Sequence, residues 1–142
     1  MTDRAFVDTN VFVYAVDDGE PEKRDRAREL ISGDERTLVI SAQVIGEFYV
    51  VATRKLASPL SASDAADRVS ELLRLPVVPV DAELAGAAVA TSSAEQLSYW
   101  DALIVEAAAV AGCDTLITED LNEGQAIRSV VVENPFAAGS AR

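Results

Sequence analysis

The chain has 142 residues, 49% of them hydrophobic and 25% charged, which is typical of one soluble globular domain with a sizeable core. Its formal net charge of −12 argues against a broad basic surface for nucleic acid, because Lys and Arg supply most of that affinity. With no histidine and Cys113 as the single cysteine, the sequence excludes Ser/His and Cys/His nucleophiles, an internal disulfide and a zinc site of the usual Cys/His kind.

The pattern of apolar residues gives no reason to expect contact with a membrane. Residues 1–4 are polar, and the longest apolar runs contain Glu47 or Glu106, so neither a signal peptide nor a membrane span is predicted. We therefore expect a cytoplasmic protein. Its acidity suits a basic protein partner.

The first half of the chain alternates short apolar runs with helical segments. Asp8, Thr9 and Asn10 directly follow an apolar run, and such residues cap helices well, so a strand is expected to lead into a helix there. A proline and a serine cap mark two further helix starts. In chain order, the expected elements are a strand ending at Val7, a short helix from Val11 to Val16, a charged helix from Pro21 to Gly33, a strand from Thr37 to Ile40, and a helix capped by Ser41 that ends near Lys55.

The second half continues this alternation. Ser61 to Asp64 has the spacing of a capping box, and Gly112 stands where helices favour glycine at their C-terminus. The expected elements are a helix from Ser61 that Pro76 stops, a strand from Val77 to Val80, a helix capped by Asp81 that reaches about Ser92, a helix opened by Ser98 that runs from Tyr99 to Ala111, and strands from Thr115 to Thr118 and from Val130 to Val132. This order predicts a three-layer α/β/α fold with a mostly parallel sheet of about five strands. We expect one domain over residues 1–142, with a frayed tail at 137–142.

Most of the 24 acidic residues suit a solvated surface, but four fall at the end of a buried strand or on an apolar helix face. These four are Asp8, Glu47, Asp101 and Asp120. Asp8 ends the first strand and is equally well explained as the N-cap of the next helix. Glu47 projects from a valine-rich stripe that should pack on the sheet, so it must be partnered, protonated or bound to metal. Arg54 is the alternative partner, although it lies farther along the helix than the usual adjacent-turn pair.

The other two acids also have simple structural explanations. Ser98 to Asp101 has capping-box spacing, so Asp101 can cap its helix and still face the edge of the sheet. Asp120 follows a buried strand and can belong to a polar turn, where Glu119 and Asn122 compete with it for a ligand role. All four acids lie on elements that can meet at the carboxyl edge of one sheet. Carboxylates brought that close raise one another's pKa unless a cation neutralises them, and oxygen ligands favour Mg²⁺ or Mn²⁺ over zinc.

Four motifs, in this order, resemble those of the PIN-domain ribonucleases, and most closely those of the toxin component of bacterial VapBC toxin–antitoxin pairs. The motifs are Val7-Asp8-Thr9-Asn10, Ile45-Gly46-Glu47-Phe48, Trp100-Asp101-Ala102-Leu103-Ile104 and Leu116-Ile117-Thr118-Glu119-Asp120-Leu121. The resemblance in order and spacing extends over nearly the whole chain, from residue 6 to about Phe136. The resemblance implies a PIN-like α/β/α fold whose sheet edge gathers the acids, a Mg²⁺ or Mn²⁺ site, and endonucleolytic cleavage of RNA.

The same resemblance assigns roles to particular residues. It implies that the catalytic and metal-binding acids are Asp8, Glu47, Asp101 and Asp120. The supporting polar residues that it implies are Thr9 or Asn10 and Thr118, with Glu119 and Asn122 beside the fourth acid. A metal-activated water would then hydrolyse the phosphodiester and leave a 3′-hydroxyl and a 5′-phosphate. Whether Glu119 or Asp120 is the fourth acid stays open at this point.

The resemblance also implies partners. Family toxins are held inactive by a small antitoxin whose C-terminal segment lies in a groove near the site. The apolar first helix, with Val11, Phe12 and Tyr14, offers surface for such a segment or simply packs into the core. A homodimer, and a larger toxin–antitoxin assembly, are expectations from the family and not from the residues themselves.

Several basic residues are candidates for RNA placement. The preferred contacts are Arg54 and Lys55, at the end of the Glu47 helix. Three arginines of the charged helix are better explained as solvated charges paired with nearby acids, namely Arg24, Arg26 and Arg28. No motif encodes which RNA is cut, because such specificity depends on loop shape and groove contacts.

Two other functions fit parts of the pattern. A phosphoacceptor receiver domain is also α/β with clustered acids and one Mg²⁺, but here the strand from Thr37 to Ile40 ends on Ser41 and Ala42, and no lysine follows the late strand. A catalytically inactive PIN-like module kept for protein binding is the second alternative. The presence of all four acids argues against it.

Overall fold

The structure is a computed structural model that describes residues 3–137, within which six strands and six helices form an α/β fold. The strands are β1 (Arg4–Val7), β2 (Thr37–Ser41), β3 (Val77–Val78), β4 (Thr115–Ile117), β5 (Ala126–Ile127) and β6 (Val130–Glu133). The helices are α1 (Thr9–Tyr14), α2 (Pro21–Gly33), α3 (Ala42–Arg54), α4 (Ala62–Leu72), α5 (Ala82–Glu95) and α6 (Tyr99–Val110). The predicted α/β class with a mostly parallel sheet is therefore confirmed.

The strands form one sheet in the order β3-β2-β1-β4-β6-β5. All neighbouring pairs are parallel except β5 with β6. Ala5, Phe6 and Val7 of β1 are fully buried, as expected for a central parallel strand covered on both faces. The chain leaves β1 for β2 and β3 on one side and returns through β4 and β6 on the other. Strand order thus reverses between β1 and β4, and ligands of open α/β sheets bind at the carboxyl side of such a reversal.

Helix starts follow the predicted caps closely. The side chains that accept a backbone N–H from the first turn of a helix are those of Asp8, Ser61, Asp81 and Ser98. Gly112 follows α6 with a φ of +74°, the left-handed conformation that favours glycine at this position. Ser41 also occupies an N-cap position, but its buried hydroxyl caps nothing and has no hydrogen-bond partner. The Ser41 prediction was right about position and wrong about the interaction.

The sheet contains one strand more than the five expected. The additional strand, β5, is two residues long and pairs antiparallel with β6 through a turn in which Arg128 has a φ of +57°. The strand β3 ends at Val78 instead of Val80, and α5 continues to Glu95, beyond the expected end. The sheet order also differs from the 2-1-3-4-5 order of receiver-type folds, since β2 and β3 lie on the same side of β1.

Two further expectations concern the C-terminal tail and the absence of a membrane span. The frayed tail at 137–142 falls almost entirely on residues 138–142, which lie outside the described residues. Over residues 3–137, no helix is both long and apolar enough to cross a membrane.

Candidate active site

Asp8 stands at the carboxyl end of β1, where the strand order reverses. Its backbone N–H donates to the carbonyl of Ile117 on β4 at 2.9 Å, which extends the pairing of the two strands. Its side chain is 6% exposed and accepts hydrogen bonds from the N–H of Thr9 at 2.7 Å and from the hydroxyl of Thr118 at 2.8 Å. Asp8 therefore caps α1, as expected, and is held from both strands in one orientation.

Thr118 joins the two strand ends on either side of the reversal. Its buried hydroxyl donates to Asp8 and accepts from the Nδ2 of Asn10 at 3.2 Å and from the backbone N–H of Asp120 at 3.0 Å. The backbone N–H of Glu119 donates to the Oδ1 of Asn10 at 3.4 Å. One threonine and one asparagine thus position the loop after β4 against the start of α1.

Glu47 reaches the same edge from α3. Its carboxylate is half-buried and accepts hydrogen bonds from the hydroxyl of Thr9 at 2.7 Å and from the Nε2 of Gln43 at 3.2 Å. Gln43 also donates to the carbonyl of Trp100 at 3.4 Å, which links α3 to the first turn of α6. The alternative partner, Arg54, is exposed and does not contact Glu47. Glu47 is therefore partnered, as expected. Its partners, Thr9 and Gln43, are neutral and do not compensate its negative charge.

Asp101 lies in the first turn of α6, where its backbone N–H donates to the hydroxyl of Ser98 at 3.0 Å. Half of the predicted capping box is therefore present: Ser98 caps the helix through the backbone of Asp101, and within residues 3–137 the Asp101 carboxylate makes no capping hydrogen bond. Asp101 faces the loop after β4, since its negative charge contributes to raising the pKa of Asp120. The two roles considered for this residue are compatible.

Glu119 and Asp120 are adjacent in sequence but have different surroundings. The carboxylate of Glu119 accepts hydrogen bonds from the Tyr14 hydroxyl and from the Lys23 ammonium, both at 2.6 Å. Lys23 lies 4.7 Å from the centroid of the Tyr14 ring, and Tyr14 packs edge-on against Phe136. Glu119 is therefore neutralised by a cation, whereas Asp120 faces the other acids. This difference favours Asp120 as the fourth acid.

The electrostatics show that these acids are close together. Burial raises the pKa of Asp8 to about 6, with smaller contributions from the charges of Asp120 and Glu47, while the hydrogen bonds from Thr118 and Thr9 oppose the rise. The pKa of Asp120 is also raised, chiefly by burial and then by the charges of Asp101, Glu119 and Glu47. We call Asp8, Glu47, Asp101 and Asp120 the acid cluster. Within residues 3–137, none of its members forms an ion pair with Lys or Arg.

The donor set of the acid cluster fits a hard divalent cation. All its donors are carboxylate oxygens, with threonine and asparagine oxygens nearby, and such ligands suit Mg²⁺ or Mn²⁺. Asp8 supplies a buried carboxylate that lacks a cationic partner. Across residues 3–137, however, no three His, Cys, Asp or Glu side chains are gathered tightly enough to hold an ion in their present rotamers. Binding a cation would therefore require the carboxylates to turn toward one another.

A groove of about 700 Å³ opens beside the acid cluster. It is lined by polar groups of the site and by apolar residues of α1 and α3: Thr9, Asn10, Glu47 and Asp120, with Val13, Tyr14, Val50 and Val51. Lys55 also lines this groove, whereas Arg54 does not. Val11 and Phe12 are buried in the core, which is the alternative considered for the first helix, whereas Tyr14 lines the groove as expected, together with Val13.

Other residues considered from the sequence lie away from the acid cluster or are already paired. Asn122 is exposed, and its backbone closes a turn with Gln125. Its role as a supporting polar residue stays a prediction. Among the three arginines of α2, the expected pairing with acids is seen for Arg24, whereas the other two donate to backbone carbonyls. Arg24 pairs with Asp18 and Asp25, Arg26 donates to the carbonyl of Pro135, and Arg28 donates to the carbonyl of Ala15.

Gln43 and Lys23 were not predicted from the sequence as parts of the site, and Tyr14 was predicted only as groove surface and not as a partner of Glu119. Gln43 stands one helical turn before Glu47, so its spacing was a usable signal. Tyr14 and Lys23 contact Glu119 from 105 and 96 residues away, and no local pattern reveals such contacts.

Solved structures with the same fold include toxins and toxin–antitoxin complexes. A toxin–antitoxin complex from Klebsiella pneumoniae is similar with a TM-score of 0.67 and 20% identity, over 93% of this chain and 98% of that chain. VapBC2 from Rickettsia felis, bound to a DNA fragment from its promoter, is similar with a TM-score of 0.63 and 20% identity, over 92% of this chain and 98% of that chain. VapC20 from Mycobacterium tuberculosis, a toxin that cleaves the sarcin–ricin loop, is similar with a TM-score of 0.62 and 19% identity, over 79% of this chain and 86% of that chain. At these identities the similarity shows the fold.

Sequence comparison gives the family. No curated protein sequence matches the chain at a significant level. The family model of the PIN domain matches residues 5–125, a range that begins in β1, extends past β4 and includes the whole acid cluster. The match covers most of the chain and agrees with the fold of the solved structures. The chain therefore belongs to the PIN-domain family.

Proposed function

We propose that this protein is a metal-dependent endoribonuclease that acts as the toxin of a toxin–antitoxin pair. The observation that carries the proposal is the position of the acid cluster, at the reversal of strand order and without cationic partners among residues 3–137. PIN domains are typically nucleases that use a divalent metal, which supports the same activity here. An inactive binding module would have no need to keep four uncompensated carboxylates together, because they cost stability.

The proposed metal ligands and catalytic acids are Asp8, Glu47, Asp101 and Asp120. When bound, a divalent cation makes water a better nucleophile and offsets negative charge on the scissile phosphate. Thr118 and Thr9 fix the orientation of the carboxylates of Asp8 and Glu47 through donated hydrogen bonds. Asn10 holds the loop that carries Asp120, so the acid cluster is supported from both strand ends. No protein nucleophile is needed for this reaction.

We extend the proposal to a protein partner. Similar folds occur in toxin–antitoxin complexes, which supports an antitoxin as the partner of this chain. The groove beside the acid cluster combines apolar walls from Val13, Val50 and Val51 with the carboxylates of Glu47 and Asp120. It therefore suits a segment with apolar side chains and one basic side chain that reaches the acids. A homodimer of the toxin within such an assembly is part of the same proposal.

We expect the purified chain to cleave single-stranded RNA with Mg²⁺ or Mn²⁺ and to leave 3′-hydroxyl and 5′-phosphate ends, because water and not the ribose 2′-hydroxyl attacks. Mapping the ends of the products by ligation with and without prior phosphatase or kinase treatment checks this result. Cleavage should stop in EDTA and in the Asp101→Asn variant. Products with 2′,3′-cyclic phosphate ends, or equal cleavage by Asp101→Asn, would contradict the proposed mechanism.

Lys23 is expected to support activity indirectly by neutralising Glu119 beside the acid cluster. Lys23→Met should lower the rate of RNA cleavage by about tenfold, because the negative charge of Glu119 would then act unopposed on the neighbouring Asp120. Stability should change by less than about 1 kcal/mol, because the ion pair is partly solvated. Arg24→Met is the matched control, since Arg24 pairs with Asp18 and Asp25 at the surface. Equal cleavage rates for Lys23→Met and Arg24→Met would show that Lys23 does not support activity.

A further inference from the structure

Trp100 is the only tryptophan of the chain and stands one residue before Asp101, in the first turn of α6. Its side chain is 61% exposed, although the helix behind it is buried almost continuously from residue 102 to 108. An indole left this open is unusual, because tryptophan is normally largely buried. No role assigned so far to the acid cluster explains it.

The position of Trp100 is well defined by its neighbours. Its ring meets the ring of Tyr99 edge-on, with the centroids 4.9 Å apart and the planes at 78°, and Tyr99 itself packs against the core. Its carbonyl accepts a hydrogen bond from Gln43, which also donates to Glu47. The same amide therefore ties the indole-bearing turn to the acid cluster. A flat aromatic face is presented at a fixed place beside the proposed site.

The charge of the protein limits how RNA can be held there. The net charge is −12, and the ammonium of Lys23 is engaged by Glu119. Lys55 is the cation that lines the groove. Binding through phosphate neutralisation is therefore weak, whereas stacking of a base on an aromatic ring does not depend on positive charge. Single-stranded RNA offers unstacked bases for this contact.

We propose that Trp100 is a stacking platform for one base of single-stranded RNA next to the phosphate held at the acid cluster. The inference rests on the proposed function and adds to it a binding contact for single-stranded RNA. Gln43 contacts both Glu47 and the carbonyl of Trp100, so a nucleotide next to a phosphate at the acid cluster lies near the turn that carries the indole. Because every base has an aromatic face, this contact secures the strand without reading a particular sequence.

The experiment uses Trp100 as its own reporter. A short single-stranded RNA is titrated into the Asp8→Asn protein, which should not cleave it, while tryptophan fluorescence and the anisotropy of the labelled RNA are recorded. We expect RNA to quench the tryptophan fluorescence, and we expect the quenching curve and the anisotropy curve to give the same dissociation constant. Trp100→Ala should weaken binding by about tenfold, and Trp100→Phe by much less. The dependence of affinity on salt should be unchanged, since no phosphate contact is lost.

A kinetic comparison in the otherwise unchanged protein provides the second measurement. Trp100→Ala should raise KM by about tenfold and leave kcat nearly unchanged. Leu73→Ala, which removes another exposed apolar side chain directly after α4, should leave both unchanged. No quenching at saturating RNA, or an unaltered KM for Trp100→Ala, would overturn the inference. If the protein still cleaves RNA in that case, the proposed function stands. Fluorescence that changes with protein concentration in the absence of RNA would show that a second copy covers Trp100, and would also overturn it. If the wild-type protein neither binds nor cleaves RNA, the proposed function fails as well.

Discussion

Asp8→Asn is expected to stabilise the metal-free protein at pH 7.5 by about 1 to 3 kcal/mol. Burial raises the pKa of Asp8 from 3.8 to about 6, and each pKa unit corresponds to about 1.4 kcal/mol. At pH 7.5 the folded protein must therefore keep a carboxylate ionised although its surroundings favour the protonated form. Asparagine removes the charge and retains an oxygen that accepts the cap hydrogen bond from Thr9. Its Nδ2 cannot accept the hydrogen bond that the Thr118 hydroxyl donates to Asp8, and this loss offsets part of the gain.

The sign of this effect determines its pH dependence. Because the folded-state pKa is raised, the stability that Asp8 contributes is fully present below about pH 3.8 and is lost as the pH rises through about 6. The advantage of Asp8→Asn should therefore grow between about pH 4 and pH 6 and be nearly absent at lower pH. Urea unfolding in EDTA across this range measures it. Parallel stability curves for the two proteins would contradict the raised pKa.

Addition of metal should reverse the ranking. An ion that binds only the folded state stabilises it, so Mg²⁺ or Mn²⁺ should raise the Tm of the wild type. The Tm of Asp8→Asn should rise much less, because one buried ligand has lost its charge. Asn122→Ala, at an exposed turn outside the acid cluster, serves as the control and should respond like the wild type. An equal rise in wild type and Asp8→Asn would remove Asp8 from the metal site.

Asp120→Asn should lower RNA cleavage by more than about 100-fold, whereas Glu119→Gln should stay within about tenfold of the wild type. The two carboxylates are adjacent, but that of Glu119 is bound by Tyr14 and Lys23 and that of Asp120 lies among the other acids. Single-turnover cleavage of one RNA at saturating Mn²⁺ compares the variants directly. The pair is well matched, since each variant replaces one carboxylate by its amide in the same loop.

The opposite ranking would assign the fourth acid to Glu119. It would also require Tyr14 and Lys23 to release that carboxylate when the site is occupied. A loss of activity in both variants, together with a lower Tm in both, would instead indicate that the loop as a whole had shifted. Circular dichroism of each variant distinguishes this outcome from loss of a ligand.

The local signals in the sequence predicted much of the fold correctly. The caps at Asp8, Ser61, Asp81 and Ser98 depend on residues three or fewer positions apart, and all four form. The alternation of strands and helices was predicted because buried parallel strands consist of continuous apolar residues, which are visible in the sequence. The strand β5 was not predicted, since two residues in a polar stretch carry no periodicity and pair only because β6 lies beside them. The order of the strands follows from tertiary packing and not from any local pattern.

The positions of the four acids in the fold were predictable to a similar degree, whereas their role stays a prediction. The four acids stood out because each lies where an acid is otherwise unexpected, and the structure brings them to one edge. The choice between Glu119 and Asp120 was not available from the sequence, because it depends on Tyr14 and Lys23 from distant elements. The same limit applied to Val11 and Phe12, whose burial depends on the packing of α1 against the rest of the fold.

The central claim is that the acid cluster forms one divalent-metal site. Anomalous diffraction from crystals of the wild-type protein soaked in Mn²⁺ tests it most directly, because the signal locates the ion and its ligands together. The account predicts an anomalous peak at the carboxyl edge between β1 and β4, coordinated by oxygens of Asp8 and at least two other members of the acid cluster. Absence of a peak there, in a protein that cleaves RNA only when Mn²⁺ is present, would contradict it.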